Sequence, residues 1–280
     1  MKSYLLYFFA FLIAITSSPF AAKLMMRGSG LTVCVISDDG GKREMDIEEY
    51  VASALSCLTD GDEEAEYLKA LSVALRSTAV LICTEGLNHP IGEVCTQRGC
   101  CIPIAECRNY AADAASSTKG EYLTYDGAPM LAPFCDSVGR YTANSNSLDY
   151  LVSVKNVDEG GTDGFETVMS MSIAELASLL SLPEGADPQE GCVVYDSTGR
   201  CAFFICGGVQ IAADEMQKIF SLPSAEFEIV LSDDNAVITC RGSGSGIGMS
   251  LGGSRILAGN GYLYDEILKF YFPLGEINFI

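Results

Sequence analysis

His89, Cys95, Cys100 and Cys101 fall in the pattern H-x5-C-x4-C-C. Three thiolates and an imidazole suit tetrahedral zinc, and four protein ligands leave no position for water, so such a site would be structural rather than catalytic. The adjacency of Cys100 and Cys101 strains chelation, and the competing reading is buried thiols or a disulfide, with Cys107 as a further partner. His89 is the single histidine of the chain, so chemistry that needs two imidazoles is excluded. General acid and base work falls mainly to carboxylates. Asp60, Asp62, Glu63 and Glu64 gather at the start of a predicted helix, where the helix dipole favours a run of acids and where such a run also describes ordinary solvated surface.

Two further segments invite chemistry. Cys135 has Arg140 as its nearest base in sequence, but a nucleophilic thiol needs a lowered pKa, and a cysteine beside Phe134 on a strand reads as inert core. Gly242-Ser243-Gly244-Ser245-Gly246-Ile247-Gly248 suggests a dinucleotide loop. The register fails: G-x-G-x-x-G from Gly242 needs glycine at Ile247, from Gly244 it needs glycine at Met249, and no P-loop lysine follows. The glycines read either as a close backbone approach to a groove or as a tight structural turn.

The elements that must position these residues follow from periodicity. Residues 31–37 suit a strand, Asp38 to Gly41 a turn and residues 42–45 a returning strand. Ile47, Tyr50, Val51, Ala54, Leu55 and Leu58 mark an amphipathic helix opened by Asp46 and Glu49, with Leu58 expected on its buried stripe. A second helix over 63–82 buries Leu68, Leu71, Leu75, Ala79 and Ile82 and is expected to carry Lys69 and Arg76 on another face. A short alanine-rich helix covers 110–116, and strands are expected at 121–125 and 130–135. A capped helix begins after Ser172, and hairpins are expected at 192–206 and 227–241. Hairpins interleaved with helices, without a βαβ rhythm, predict an α+β fold, and no internal repeat is legible.

Composition bounds the function. A hydrophobic content of 49%, 19% charged residues and 9 prolines describe a folded chain. A net charge of −20 repels phosphate backbones, so no nucleic-acid partner is expected. Lys2, the apolar run from Tyr4 to Ile15, and Pro19 with Ala21 and Ala22 make residues 1–22 a signal peptide or an N-terminal membrane anchor, which predicts an extracytoplasmic location, membrane-anchored or secreted. Residues 23–280 form the domain. A domain of that size folds without staples, so the 12 cysteines need not be a disulfide framework.

Several segments, in order, resemble one family. "DIEEYVASAL" and "EYLKALSVALRSTA" look like a helix followed by E-A-L-K-A-Q-A-V-A-A-R-T-Y-A, and "TKGEYLTYDGAPMLAPFCDSVGRYTANS" is similar to T-x-G-x-V-L-x-Y-x-G-x-P-I-x-A-x-Y-H-S-x-S-G-G-x-T. "GSGIGMSLGG" and "GNGYLYDEILKFYFP" correspond to G-H-G-V-G-M-S-Q-x-G-A and G-x-x-Y-x-E-I-L-x-Y-Y-P. The chain thus resembles the SpoIID/LytB family of stage II sporulation proteins D and amidase enhancers. The resemblance implies a single domain, with two lobes around a cleft as one arrangement, and peptidoglycan remodelling outside the membrane. Sporulation proteins D are lytic transglycosylases on denuded glycan, using one carboxylate as acid and then base, which requires a raised pKa.

The family's glutamate lies in an E-M-P turn eight residues before E-A-L-K, and counting back from Glu66 reaches Leu58. Leucine transfers no proton. The family's histidine in Y-H-S is Cys135, and G-H-G and M-S-Q become Ser245 and Leu251. The resemblance therefore implies a catalytically degenerate protein that binds glycan strands and serves another wall hydrolase or an engulfment protein. The alternative is an active lytic transglycosylase with a relocated carboxylate, Asp60 or Asp62. Lys69, Arg76, Ser137, Thr142, Ser245 and Ser250 are the implied glycan contacts. The cysteine segment resembles a zinc element of some relatives, with Cys100 in a histidine's place.

Overall fold

The computed structural model describes residues 30–37, 40–96, 101–161 and 165–280. The expected leader, residues 1–22, and the ligand candidate Cys100 lie outside them. The fold is α+β, and the described chain divides into two compact units. One comprises the residues up to Ala132 with Leu263–Lys269 and Leu274–Ile280; the other comprises Pro133–Tyr262 with Phe270–Pro273.

In the first unit, β1 (Thr32–Ile36) pairs antiparallel with β2 (Lys42–Asp46) and parallel with β3 (Glu93–Cys95). Helix α1 (Ile47–Leu58) starts where the Asp46 carboxylate accepts the Glu48 N–H, a cap that satisfies one of the free donors of the first turn. Glu49, expected to share that cap, instead pairs with Arg43 at 2.6 Å. Helix α2 (Ala65–Thr84) follows, then α3 (Asn109–Ser117) and the sheet of β4 (Glu121–Tyr125), β5 (Ala128–Pro129) and β14 (Glu276–Phe279). Residues 130–135, expected as one strand, divide instead: β5 ends before Met130, and β6 (Phe134–Cys135) pairs elsewhere.

Helix α2 is the central element of this unit. It is long and apolar enough to cross a bilayer, yet it is a core helix, buried along nearly its whole length. Leu71, Leu75 and Ala79 are fully enclosed, each large aliphatic contributing about 1.5–3 kcal/mol by leaving water. Arg76 sits among them with no exposed surface. Its guanidinium binds the Glu48 carboxylate through Nε and Nη2 at 2.9 and 2.7 Å and donates to the carbonyls of Glu121 and Ala115 at 2.9 and 3.0 Å. One side chain therefore ties α1, α2, α3 and β4 together. The sequence expectation that Arg76 lines a glycan cleft is corrected: helix α2 has no solvent face at that position.

The second unit contains β6 paired in parallel with β13 (Met249–Ser250), which leads into α6 (Leu251–Gly259). Two three-stranded antiparallel sheets accompany them. One orders β10 (Val209–Ala212), β9 (Cys201–Cys206) and β8 (Cys192–Tyr195); the other orders β11 (Phe227–Leu231), β12 (Asn235–Arg241) and β7 (Glu166–Ser172). Helices α4 (Ile173–Leu179) and α5 (Ala213–Ile219) close one hydrophobic cluster with both sheets, built on Leu176, Phe204, Met216, Phe227 and Ile238. Strands β7 and β10 and helix α5 were not legible in the sequence. Helix α7 (Tyr264–Tyr271) precedes β14.

Removing Arg76 leaves Glu48 without its guanidinium and takes a donor from the carbonyls of Ala115 in α3 and Glu121 in β4. Arg76→Ala is expected to lower unfolding free energy by about 3–5 kcal/mol in urea titration, and Arg76→Lys to recover less than half of that, because one ammonium cannot reproduce the bidentate fork.

Candidate functional site

The turn that follows α1 is where the sequence placed the chemistry. Leu58 is the last residue of the helix and is half-buried, not enclosed. Its expected place on the buried stripe is corrected: Ile47, Tyr50, Val51, Ala54 and Leu55 are enclosed, and the stripe runs out one turn before Leu58. A carboxyl at this position would keep part of its hydration.

Thr59 to Glu63 are held tightly. Tyr110 from α3 donates its hydroxyl to the Thr59 carbonyl at 2.5 Å, and Thr59 Oγ1 donates to the Leu55 carbonyl at 2.7 Å. Gly61 has φ of +94°, and a Cβ there would stand 2.5 Å from the Tyr110 ring, so glycine is required on both counts. The Glu63 carboxylate accepts the N–H groups of Gly61 at 2.8 Å and Asp60 at 3.4 Å. Glu63 is thus engaged in the turn itself, and Asp60 and Asp62 point into solvent.

Lys69 lies one turn into α2, 28% exposed at its side chain, and its ammonium holds Glu66 at 2.6 Å. Glu66 also accepts the backbone N–H of Tyr264 at 2.9 Å, satisfying the start of α7, while the Lys69 ammonium stands 6.0 Å from the Tyr264 ring centroid. Partial burial pushes the Glu66 carboxyl up, but the Lys69 hydrogen bond and the Tyr264 amide outweigh it and hold the pKa below its ordinary value. Burial and a hydrogen bond to Glu121 push the Tyr264 phenol up to about 12.

The thiol and imidazole candidates converge within the first unit. Cys95 on β3, Cys101 at the start of the segment leading to α3, and His89 in the turn after α2 place their ligand atoms within 4.8 Å of one another. Tetrahedral zinc sets its sulfurs about 3.8 Å apart, so the donor set fits that ion. Cys95 is buried and the other two are half-buried. Cys83 lies outside this group and donates to the Thr32 carbonyl; burial raises its thiol to about 11.

Other candidates are in the second unit. Cys135 is held as a thiol, pushed up to about 11 by burial against the lowering effect of the Gly246 amide and of Arg200. That agrees with an inert role. Arg140 is bound at 2.6 and 2.9 Å to Glu226 and Glu228, and the positive neighbour is Arg200, a residue with no sequence signal for the role. The glycine segment is a packed turn: Gly242, Gly244, Gly246 and Gly248 all have positive φ, and their missing Cβ atoms make room for Gly139, Cys135, Arg200 and Pro133 respectively. The turn reading therefore displaces the groove reading.

Three of the implied glycan contacts are inward-facing. Ser250 is fully buried, donating to the Glu159 carboxylate at 2.6 Å and capping α6 by accepting the Gly253 N–H. Glu159, Asn156 and the Tyr271 hydroxyl complete this internal network, another feature without a sequence signal. Thr142 is buried, its hydroxyl accepting the Val154 N–H at 2.8 Å, and Ser137 is buried beside Gly139. Those assignments are corrected, since a side chain without exposed surface cannot meet a sugar. Ser245 is exposed. A small cavity of about 260 Å³ beside α1 and α3, lined by Glu48, Ala52, Cys107 and Lys119 among others, contains none of the candidates.

The first unit therefore carries a turn with an apolar residue at its head and a thiol-imidazole cluster, and a family model matches within it. Residues 40–125 fit the family model SpoIID, described as Stage II sporulation protein. Stage II sporulation protein D of Bacillus subtilis (strain 168) is 28% identical over 172 residues, covering 59% of this chain and 50% of that protein. Its namesake from Bacillus amyloliquefaciens is 26% identical with the same coverage. An uncharacterized protein of Brachyspira hyodysenteriae (strain ATCC 49526 / WA1) is 26% identical over 244 residues, 82% of this chain and 66% of that protein. The chain is therefore similar to SpoIID proteins over part of its length, and it spans about half the length of the Bacillus relatives it matches.

Glu66 makes the stability of the first unit depend on acid. Its pKa is depressed on folding, so its contribution is full above the ordinary value of 4.5 and is lost as pH falls through the lower folded value. Urea titrations from pH 7 to pH 3 are expected to show wild type losing more stability than Glu66→Gln, the two curves converging at the acid end.

Proposed function

We propose that this chain acts in cell-wall remodelling of the sporulation type as a peptidoglycan glycan-strand binding protein that has lost the cutting chemistry of the lytic transglycosylases it resembles. The observation that carries the reading is the turn after α1. Where the resemblance places a catalytic glutamate, Leu58 stands half-buried, Glu63 is engaged with the Gly61 and Asp60 amides, and Asp60 and Asp62 are solvated. Breaking a glycosidic bond by this route needs a neutral carboxylic acid at the bridging oxygen. An apolar residue in that place, with the neighbouring carboxylates exposed or bound within the turn, supports holding the strand over cleaving it. The apolar run from Tyr4 to Ile15 supports an extracytoplasmic site of action, anchored or secreted, and partners would be glycan strands together with another wall hydrolase or engulfment protein.

Of the implied glycan contacts, Ser245 is exposed and Lys69 is half-buried with its side chain partly open to solvent. Sedimentation of purified residues 23–280 with insoluble denuded glycan tests the reading. Saturable co-sedimentation, weakened severalfold in Lys69→Ala, is the expected result; a protein that stays in the supernatant at every glycan concentration contradicts it.

In the same reading His89, Cys95 and Cys101, with Cys100 as fourth ligand, hold a structural zinc. The ion would supply cross-linking of the α2–β3 turn to the segment before α3, and no reactive position. Metal analysis of protein purified with its thiols reduced is expected to give about one zinc per chain, reduced to near zero in Cys95→Ser. Zinc below about a tenth of an equivalent in wild type would exclude it.

A further inference from the structure

We infer that residues 166–241 are two copies of one β-α-β-β module that have exchanged their leading strands. The first copy is β7, α4 and the hairpin β8–β9; the second is β10, α5 and the hairpin β11–β12. Ser172–Pro183 superposes in sequence on Ala212–Pro223 without a gap, with Glu175 and Glu215 in the first helical turn and Ser-Leu-Pro closing both segments. Identity elsewhere is low, and the two hairpins differ in turn length, which hides the period from a sequence reading.

Geometry makes the case that letters do not. Ser181 and Ser221 are both left-handed, with φ of 51° and 52°, a conformation among the described non-glycine residues shared only with Asp126. The helix ends around them are bonded identically. The N–H groups of Leu180, Ser181 and Leu182 donate to the carbonyls of Leu176, Ser178 and Ala177; those of Phe220, Ser221 and Leu222 donate to Met216, Lys218 and Gln217. The core is built from equivalent pairs, Met171 with Ile211, Leu176 with Met216, and Leu180 with Phe220, all in one cluster.

Strand pairing shows the exchange. Strand β7 of the first copy lies along β12 of the second, Ser172 opposite Asn235; β10 of the second copy lies along β9 of the first, Ala212 opposite Phe203. In both, the residue just before the helix faces the second hairpin strand near its start. Each hairpin is thus completed by the other copy's strand, and neither copy has a whole sheet alone. An isolated two-stranded hairpin is marginal in water, so in this joint body each hairpin depends on the strand it receives from the other copy. That body fixes the glycine turn from both copies: the Gly242 N–H donates to the Phe165 carbonyl ahead of β7, and the Gly244 N–H to the Pro223 carbonyl.

Amide hydrogen exchange on the full chain tests this. Thr167→Pro and Val168→Pro, on exposed β7 positions that cover both phases of the ladder, are expected to cut protection of the β12 amides at least about tenfold while β9 stays protected. Val209→Pro and Gln210→Pro are expected to do the reverse. Loss confined to the β8–β9 hairpin after a β7 substitution overturns the exchange. Should a proline variant not fold, native-state exchange of the wild type in low urea decides: β7 opens with β12 and β10 with β9 if the inference holds, and β7 opening with β8–β9 refutes it. Ser181→Gly and Ser221→Gly each relieve the same left-handed position and are expected to raise the melting temperature by similar amounts; opposite signs contradict equivalence of the copies.

Discussion

The first unit is organised around one guanidinium. Arg76 reaches the Glu48 carboxylate on α1 and the backbone of α3 and β4 from the middle of a helix otherwise made of aliphatic and small residues. Burying a charge is tolerable only when its donors are matched, and here Nε, Nη1 and Nη2 each meet an oxygen within hydrogen-bond distance. The consequence extends to the end of α1. With Glu48 pinned near its start and Tyr110 pinned to the Thr59 carbonyl at its finish, the helix presents Leu58 in a fixed direction, and the turn beyond it has little freedom to bring another acid forward.

This arrangement gives the proposed loss of cutting a physical form. The scaffold parts of the site persist: Glu66 satisfies the start of α7, Lys69 holds Glu66, and Gly61 allows the tight approach of Tyr110. Where the resemblance places a proton donor stands Leu58, and Glu63 beside it is engaged in the turn. Ser250 and Thr142 of the second unit, implied by the resemblance as glycan contacts, satisfy internal partners instead.

Much of this was legible in the sequence, for identifiable reasons. Local signals placed the β1–β2 hairpin, α1, α2, α3 and the hairpins at 192–206 and 227–241, because their periodicity and turn residues act over a few positions. The H-x5-C-x4-C-C spacing pointed to a cluster, and three of its members meet. What failed depended on tertiary context. The seven-residue interval between Lys69 and Arg76 correctly gave one helix face, but not that this face is solvent at Lys69 and core at Arg76. Leu58 looked like stripe because periodicity carries no information about where a helix leaves its neighbours. Arg200 and Glu159 gained their surroundings from distant residues, and the duplicated module was masked by divergence that left only Ser-Leu-Pro turns and a shared backbone twist.

The account turns on whether a strand held at the Leu58 turn is ever cut. Mass spectrometry of denuded glycan after prolonged incubation with purified wild-type protein reads this directly through anhydro-muramyl ends. Strand length and end groups unchanged from a protein-free control are predicted; accumulation of anhydro ends in proportion to protein concentration would contradict the account and assign the chemistry to a carboxylate other than the one the family uses.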